Sequence, residues 1–240
     1  MHKIEEHKEL QQRLSQITNR TIDEKRAELL LSHLRFVLEK NRDINLTSIK
    51  DEEQGIALHI EDSLTALKEI DEAIPGKLVD LGSGGGFPGI PLAIVTERKT
   101  SLIEGKRKKA KILKEFIDIT GLNNQICVEA RRIEEISKMQ KEYYAVATAR
   151  ALSSLAVIME LAAPLIEMNG SLIAYKAKIS ESELEEAKKI EKLLGMELSS
   201  IRDLVLSDKE TKRKIIVFKK VDTIKISLPR RDGLAQNNPL

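Results

Sequence analysis

A chain of 240 residues with 41% hydrophobic and 32% charged side chains is long enough for one substantial core, and no apolar run approaches the roughly 20 residues of a membrane helix, which excludes a membrane-spanning helix. The net charge of +2 says little by its total; its distribution says more, because residues 106–114 read Lys-Arg-Lys-Lys-Ala-Lys-Ile-Leu-Lys and residues 211–240 hold eight Lys or Arg against two acids. Cys127, the one cysteine, excludes an internal disulfide and a cysteine metal cluster and is expected as a small apolar residue in a strand, and the polar opening Met1-His2-Lys3-Ile4, without an apolar leader core, predicts a cytoplasmic protein.

In chain order, Thr21-Ile22-Asp23-Glu24 has the form of a capping box, and Ala27, Leu30, Leu31, Leu34, Val37 and Leu38 recur at helical spacing up to Asn41. A second helix is predicted from about Glu52 to Ile70, with Ile56, Ile60, Leu64 and Leu67 on one face, before Pro75-Gly76 breaks the pattern. Residues 1–75 thus read as a strand-free helical extension. From Lys77 onward, short apolar runs alternate with helical patterns, as in βαβ units that build a parallel sheet covered on both faces. Strands are predicted near 77–81, 100–104, 125–129, 144–148, 171–176, 198–206 and 214–220, and helices near 89–97, 106–120, 132–138, 153–167 and 181–194. The last two strands have no helix between them, and charged residues around Ser207-Asp208 predict an antiparallel hairpin. The expected fold is therefore α/β and Rossmann-like: a mostly parallel seven-stranded sheet over residues 76–222, closed by that hairpin and followed by a basic tail over residues 223–240.

The loop after the first strand reads Asp80-Leu81-Gly82-Ser83-Gly84-Gly85-Gly86-Phe87-Pro88-Gly89. Glycines at Gly82, Gly84 and Gly86 let the chain turn sharply and let a ligand lie against bare backbone. The literal pattern G-x-G-x-x-G is also present, so the loop alone does not choose between a dinucleotide and another nucleoside cofactor. Glu104, at the end of the second strand, suits a ribose in either case. Asp80 favours S-adenosylmethionine, because a carboxylate there suits the cationic methionine end and repels a pyrophosphate at the following helix start. The competing readings are a nicotinamide-dependent oxidoreductase, a methyltransferase on another RNA or a small molecule, and a binding module with a degenerate loop.

The stretch from Asp80 to Ile94, with Phe87-Pro88-Gly89-Ile90-Pro91 at its centre, resembles the signature of the RsmG (GidB) family, bacterial methyltransferases that form 7-methylguanosine in 16S ribosomal RNA. Asn45-Leu46-Thr47, His59-Ile60-Glu61-Asp62-Ser63, Lys108-Lys109, Arg132-Ile133-Glu134, Arg150-Ala151, Lys176 and the ending from Leu228-Pro229-Arg230-Arg231 are similar to further elements of that family. The resemblance implies contacts to S-adenosylmethionine from Gly82, Phe87, Ile133, Glu134 and Arg150, with Glu104 at the ribose.

Nitrogen-7 of guanine carries a lone pair and no proton, so its methylation needs no general base and catalysis is expected to be positional. Arg150 and Lys176, at strand ends, are the candidates for holding guanine oxygen-6. His59, Asp62 and Ser63 share a helix face and are expected as a hydrogen-bonded cluster that braces Asn45-Leu46-Thr47 over the cofactor cleft, not as a metal site. With only 3% aromatic residues, RNA is expected to be held through phosphate and shape, by Lys106, Arg107, Lys108, Lys109, Arg230 and Arg231, with the protein acting as a monomer.

Overall fold

The computed structural model describes residues 2–240, with side chains from Lys8 onward, so the side-chain reading of Met1 to Ile4 lies outside the described residues. Two helices open the chain, α1 (His2–Thr18) and α2 (Glu24–Lys40). The N-cap of α2 is Asp23, whose carboxylate accepts from the Arg26 N–H at 2.8 Å. The cap falls after the expected Thr21 because Ile22 is fully buried and its own N–H is held by Ser15 Oγ at 3.1 Å, which keeps the preceding backbone out of the helix.

The segment predicted as one helix from Glu52 to Ile70 is interrupted. It consists of α3 (Glu52–Gly55), a π-helical turn (Ile56–Glu61), α4 (Asp62–Leu64) and, after a break at Thr65-Ala66, α5 (Leu67–Glu72). A π turn adds a residue to one helical turn and so rotates the next stretch of helix about its axis; apolar spacing does not register it, and such turns recur at functional sites. Here the turn carries His59 and delivers Asp62 to the sheet.

The sheet and its helices then alternate: β1 (Leu78–Leu81), α6 (Gly89–Thr96), β2 (Thr100–Ile103), α7 (Arg107–Thr120), β3 (Ile126–Glu129), α8 (Ile133–Met139), β4 (Tyr144–Arg150), α9 (Leu155–Ala162), β5 (Ile166–Lys176), α10 (Glu181–Leu194), β6 (Met196–Val205), β7 (Lys212–Lys220) and the short α11 (Leu234–Asn237). Strand order is β3-β2-β1-β4-β5-β7-β6, with β7 antiparallel to both neighbours; its pairing with β6 is the expected hairpin. The helix expected over 153–167 stops at Ala162, because Pro164 has no N–H to continue it. The chain then enters β5 at Ile166, with a register shift before its regular pairing at Ser171. Cys127 lies on the edge strand β3 as expected for a strand residue, but is exposed and not packed as an apolar side chain.

Period-two alternation sends the strand side chains to two cores. Leu78, Leu102, Ile173, Tyr175, Ile215 and Val217 face α6, α7 and the N-terminal helices. Val79, Leu81, Ile103, Leu172, Ala174, Ile216 and Phe218 face α8, α9 and α10. Leu10, Leu14, Leu30 and Leu34 from the first two helices belong to the same contiguous cluster as Leu78 and Ile90, so the N-terminal helices form part of one face of the sheet.

Arg98, not singled out by any sequence motif, fastens that layer to the sheet. Its guanidinium donates to the carbonyls of Ile70, Ala73, Ile74 and Gly76 at 2.9–3.5 Å, satisfying the end of α5 and the lead into β1. Arg98→Ala should lower stability by about 1–3 kcal/mol, the cost of stranding partly buried acceptors. Urea denaturation should show a lower midpoint at unchanged slope; an unchanged midpoint would exclude the clamp.

Candidate functional site: a cleft at the carboxyl ends of the strands

Strand order reverses between β1 and β4, which opens a crevice beyond their carboxyl ends, the usual ligand position in open α/β sheets. The loop from Gly82 to Gly89 forms its floor. Gly82, Gly84 and Gly86 have φ of +71°, +56° and +91°, a region side chains adopt only with strain. Two carboxylates pin this turn. Glu104 accepts from the Gly84 N–H at 2.9 Å and from the Lys106 N–H at 2.7 Å. Asp80 accepts from the Gly89 N–H at 3.3 Å and from Thr148 Oγ1 at 2.9 Å.

Asp80 therefore departs from its expected role. It is buried beneath the loop, does not line the cleft, and its burial raises its pKa to about 6. It braces the turn from below. The case against a pyrophosphate shifts to the start of α6, where the Gly89 amide donates to Asp80, the Ile90 amide donates to the Gly86 carbonyl, and Pro88 and Pro91 have no N–H to offer a phosphate.

The cleft measures about 670 Å³. Of the expected cofactor residues, Gly82, Gly84, Phe87, Glu104, Ile133, Glu134 and Arg150 line it together, whereas Gly86 turns toward Ile90 and His33. A Cβ built on Gly84 meets nothing closer than the Gly82 carbonyl at 3.9 Å, so this glycine opens onto empty cleft. Leu46 and Thr47 form the opposite wall, held by Asn41, whose Oδ1 accepts from both their amides at 2.7 and 2.9 Å.

Arg150 is the hub of the site. Its NH1 donates to Asp62 Oδ2 at 2.9 Å and to the Leu58 carbonyl at 3.1 Å, and its NH2 donates to His59 Nδ1 at 3.2 Å. Because a guanidinium only donates, Nδ1 of His59 is the acceptor, and Nε2–H points to Thr47 Oγ1 at 2.8 Å. Burial, then the Arg150 charge, hold the His59 pKa down to about 3. Asp62, 1% exposed, also accepts from Arg213 Nε on β7 at 2.9 Å, so the network reaches the closing hairpin. Ser63 does not join it; its hydroxyl donates back to the His59 carbonyl, satisfying the backbone of the π turn.

Two further candidates sit elsewhere. Lys176 does not line the cleft; its ammonium pairs with Glu183 at 2.7 Å and donates to the Ser153 carbonyl at 3.0 Å, holding the loop between β4 and α9. Arg230, expected on an RNA surface, is a bidentate partner of the 3% exposed Glu160 at 2.6 and 2.7 Å. Arg107, Lys108 and Arg231 are exposed, and Lys106, Lys109 and Arg132 line the cleft mouth. Sequence reasoning missed His33. Its ring lies tilted against Phe87 with centroids 4.3 Å apart, its Nε2–H donates to the Gly85 carbonyl at 2.9 Å, and burial lowers its pKa to about 3. Its place on the apolar face of α2 was the available signal.

These histidines give stability a definite pH dependence. Both have folded pKa values near 3 against 6.5 unfolded, so below 6.5 the unfolded chain takes up protons the folded chain refuses, and stability falls as pH drops. Asp80, raised from 3.8 to about 6, acts in the opposite sense between those values and offsets one histidine. A net loss of roughly 1.4 kcal/mol per pH unit is expected from about pH 6 to 4. The slope should flatten in His59→Gln; a urea midpoint that rises on acidification of the wild type would refute the neutral pair.

A model described as rRNA small subunit methyltransferase G matches residues 26–215. The ribosomal RNA small subunit methyltransferase G of Clostridium beijerinckii is 32% identical over 215 residues, covering 89% of this chain and 90% of that protein. That of Pelotomaculum thermopropionicum is 35% identical over 222 residues, 91% and 92% of the two chains. Among solved structures, a protein described as a sarcosine dimethylglycine methyltransferase from Galdieria sulphuraria aligns with a TM-score of 0.53 at 13% identity, over 72% of this chain and 89% of that one. MtNAS in complex with S-adenosylmethionine aligns with a TM-score of 0.52 at 15% identity, over 80% of this chain and 72% of that one. At such identities the likeness is one of fold. The extent of the match to the family model, together with relatives above 30% identity across nine-tenths of the chain, establishes that this protein belongs to the rRNA small subunit methyltransferase G family, GidB.

Proposed function

We propose that the chain methylates nitrogen-7 of a guanine in 16S ribosomal RNA, with S-adenosylmethionine as donor. The observation that carries this reading is the open backbone at Gly84 between the Glu104 carboxylate and the buried Ile133-Glu134 pair. A nucleoside fits that cradle: a carboxylate for ribose hydroxyls, an apolar wall at Ile133 for the base, and bare backbone at Gly84. A dinucleotide fits less well, because the amides at the start of α6 are already engaged, Gly89 by Asp80 and Ile90 by the Gly86 carbonyl. When bound, the cofactor supplies an electrophilic methyl group on a sulfonium sulfur.

The chain's own contribution is placement. His59 is neutral with both ring nitrogens engaged, so it serves as a strut and not as a base. Nitrogen-7 has no proton to remove, so the reaction asks for placement and not for a general base. Arg150 uses three of its five N–H groups on Asp62, Leu58 and His59, leaving two donors on a fixed cation for guanine oxygen-6. Orientation of this kind, set before the substrate arrives, lowers the entropic part of the barrier.

Lys106, Lys109 and Arg132 surround the opening and provide phosphate contacts next to it, with Arg107, Lys108 and Arg231 exposed beyond.

Incubation with methyl-labelled S-adenosylmethionine and 16S ribosomal RNA or small-subunit particles, followed by nucleoside analysis, should place label in 7-methylguanosine; label in another nucleoside, or none, would defeat the assignment. Gly84→Asn should weaken cofactor binding more than tenfold in calorimetry with little change in urea midpoint, since Asn tolerates positive φ and only its side chain intrudes. Unchanged affinity would remove the loop from the site. Lys106→Glu with Lys109→Glu should weaken RNA binding about tenfold or more and reduce its salt dependence by about two counterions. An unaltered salt slope would move the RNA elsewhere.

A further inference from the structure

The ending of the chain does not extend from the protein as a basic arm. After Leu228, 9% exposed, it folds back over α8 and α9. Arg230 locks to Glu160 and donates to the Asn238 carbonyl at 2.8 Å. Asp232 pairs with Lys138 of α8 at 3.5 Å. Ala235, 2% exposed, is buried in the core cluster of that face.

Two contacts bring this strap into the cleft. The Gly233 N–H donates to Glu134 Oε1 at 2.7 Å, so one oxygen of a cleft-lining carboxylate is held by the tail while Oε2 keeps its capacity to accept. Gly233 has φ of +76°, a backbone conformation that suits glycine. Three residues on, Gln236 lines the same cleft as Ile133 and Glu134. Among the described residues, its carboxamide has no hydrogen-bond partner within the chain.

We infer that residues 228–240 form one wall of the cofactor cleft and that Gln236 binds the base of the nucleoside, an inference that rests on the function proposed above. A carboxamide carries one acceptor and two donors in a plane, and the edge of adenine places an amino donor beside a ring-nitrogen acceptor, so the two groups pair in register. Glu134 Oε2, an acceptor only, adds selectivity for a base with an amino group. Ile133 supplies the apolar face against which the ring rests. Arg230 is thus structural, consumed by Glu160, and the strap it holds serves the cofactor, while Arg231 stays exposed for phosphate.

The test compares the full-length wild type with Gln236→Ala, an exposed position whose truncation leaves the strap's anchors in place. Calorimetry with S-adenosylhomocysteine should show about tenfold weaker binding, the scale of one lost hydrogen-bonded pair. 5′-Methylthioadenosine, which keeps the nucleoside and lacks the amino acid, should lose the same factor, because the contact is with the base. Affinity for 16S ribosomal RNA at fixed salt should stay within twofold. Equal ligand affinities in wild type and variant, or a loss confined to RNA, would overturn the role of Gln236; a wild type that bound neither ligand would overturn the proposed function as well.

Discussion

A peptide turn built on three glycines at positive φ has no rigidity of its own, and the site depends on the two carboxylates that hold it. Glu104 reaches across from the end of β2 to the Gly84 amide, and Asp80 reaches up from within β1 to the Gly89 amide. The arrangement does two things together. It fixes an open floor against which a nucleoside can lie, and it occupies the Gly84 and Gly89 amides, which would otherwise attract phosphate. Asp80 bears the cost of burial, visible in its raised pKa, and Thr148 from β4 and Gly89 from α6 offset it by hydrogen bonding. The floor of the cleft is therefore tied to strands on both sides of the point where strand order reverses.

A second constraint joins the helical layer to this floor. Asp62, delivered by the π turn, is buried between Arg150 of β4 and Arg213 of β7, and His59 spans from Arg150 to Thr47 above the cleft. Removing one member of such a buried group leaves the others uncompensated, which is far more destabilising than the intact network is stabilising. The network thus sets geometry more than it adds stability. It holds a guanidinium at the cleft with donors to spare, and it makes the N-terminal helices and the sheet a single unit, in keeping with their shared apolar cluster.

The electrostatic character of the site comes from the same contacts. Buried histidines remain neutral because protonation would place an N–H against Arg150 or add a charge in an apolar setting. Facing the cleft are the oriented Arg150 cation, the carboxylates of Glu104 and Glu134, the Gln236 carboxamide, apolar Ile133 and bare backbone at Gly84, a set suited to holding a sulfonium nucleoside and an unprotonated ring nitrogen in line. Positive charge concentrates at the rim through Lys106, Lys109 and Arg132, where a polyanion would meet the protein without entering its interior.

How much of this could be read in the chain alone depends on whether the signal was local. Alternating apolar runs, the glycine loop and Glu104 at the next strand end are short-range patterns, and they sufficed for the α/β architecture, the antiparallel hairpin and the glycine floor of the cleft, whereas Phe87, Ile133, Glu134 and Arg150 were expected there from the family resemblance. Pro164 was an equally local signal for the end of α9 that the periodicity reading passed over. The π turn was not legible, because one inserted residue barely alters apolar spacing over so short a segment. Charge proved least legible: Asp80, Lys176 and Arg230 each looked available to a ligand, and each is engaged by a partner on another element of the fold, Thr148, Glu183 and Glu160. Sequence by itself determined which segments would turn, alternate or coil, since backbone sterics and side-chain period act over a few residues. Only the tertiary structure decided which charged groups face the cleft, because a charge takes its role from whatever the fold places within about 3 Å of it.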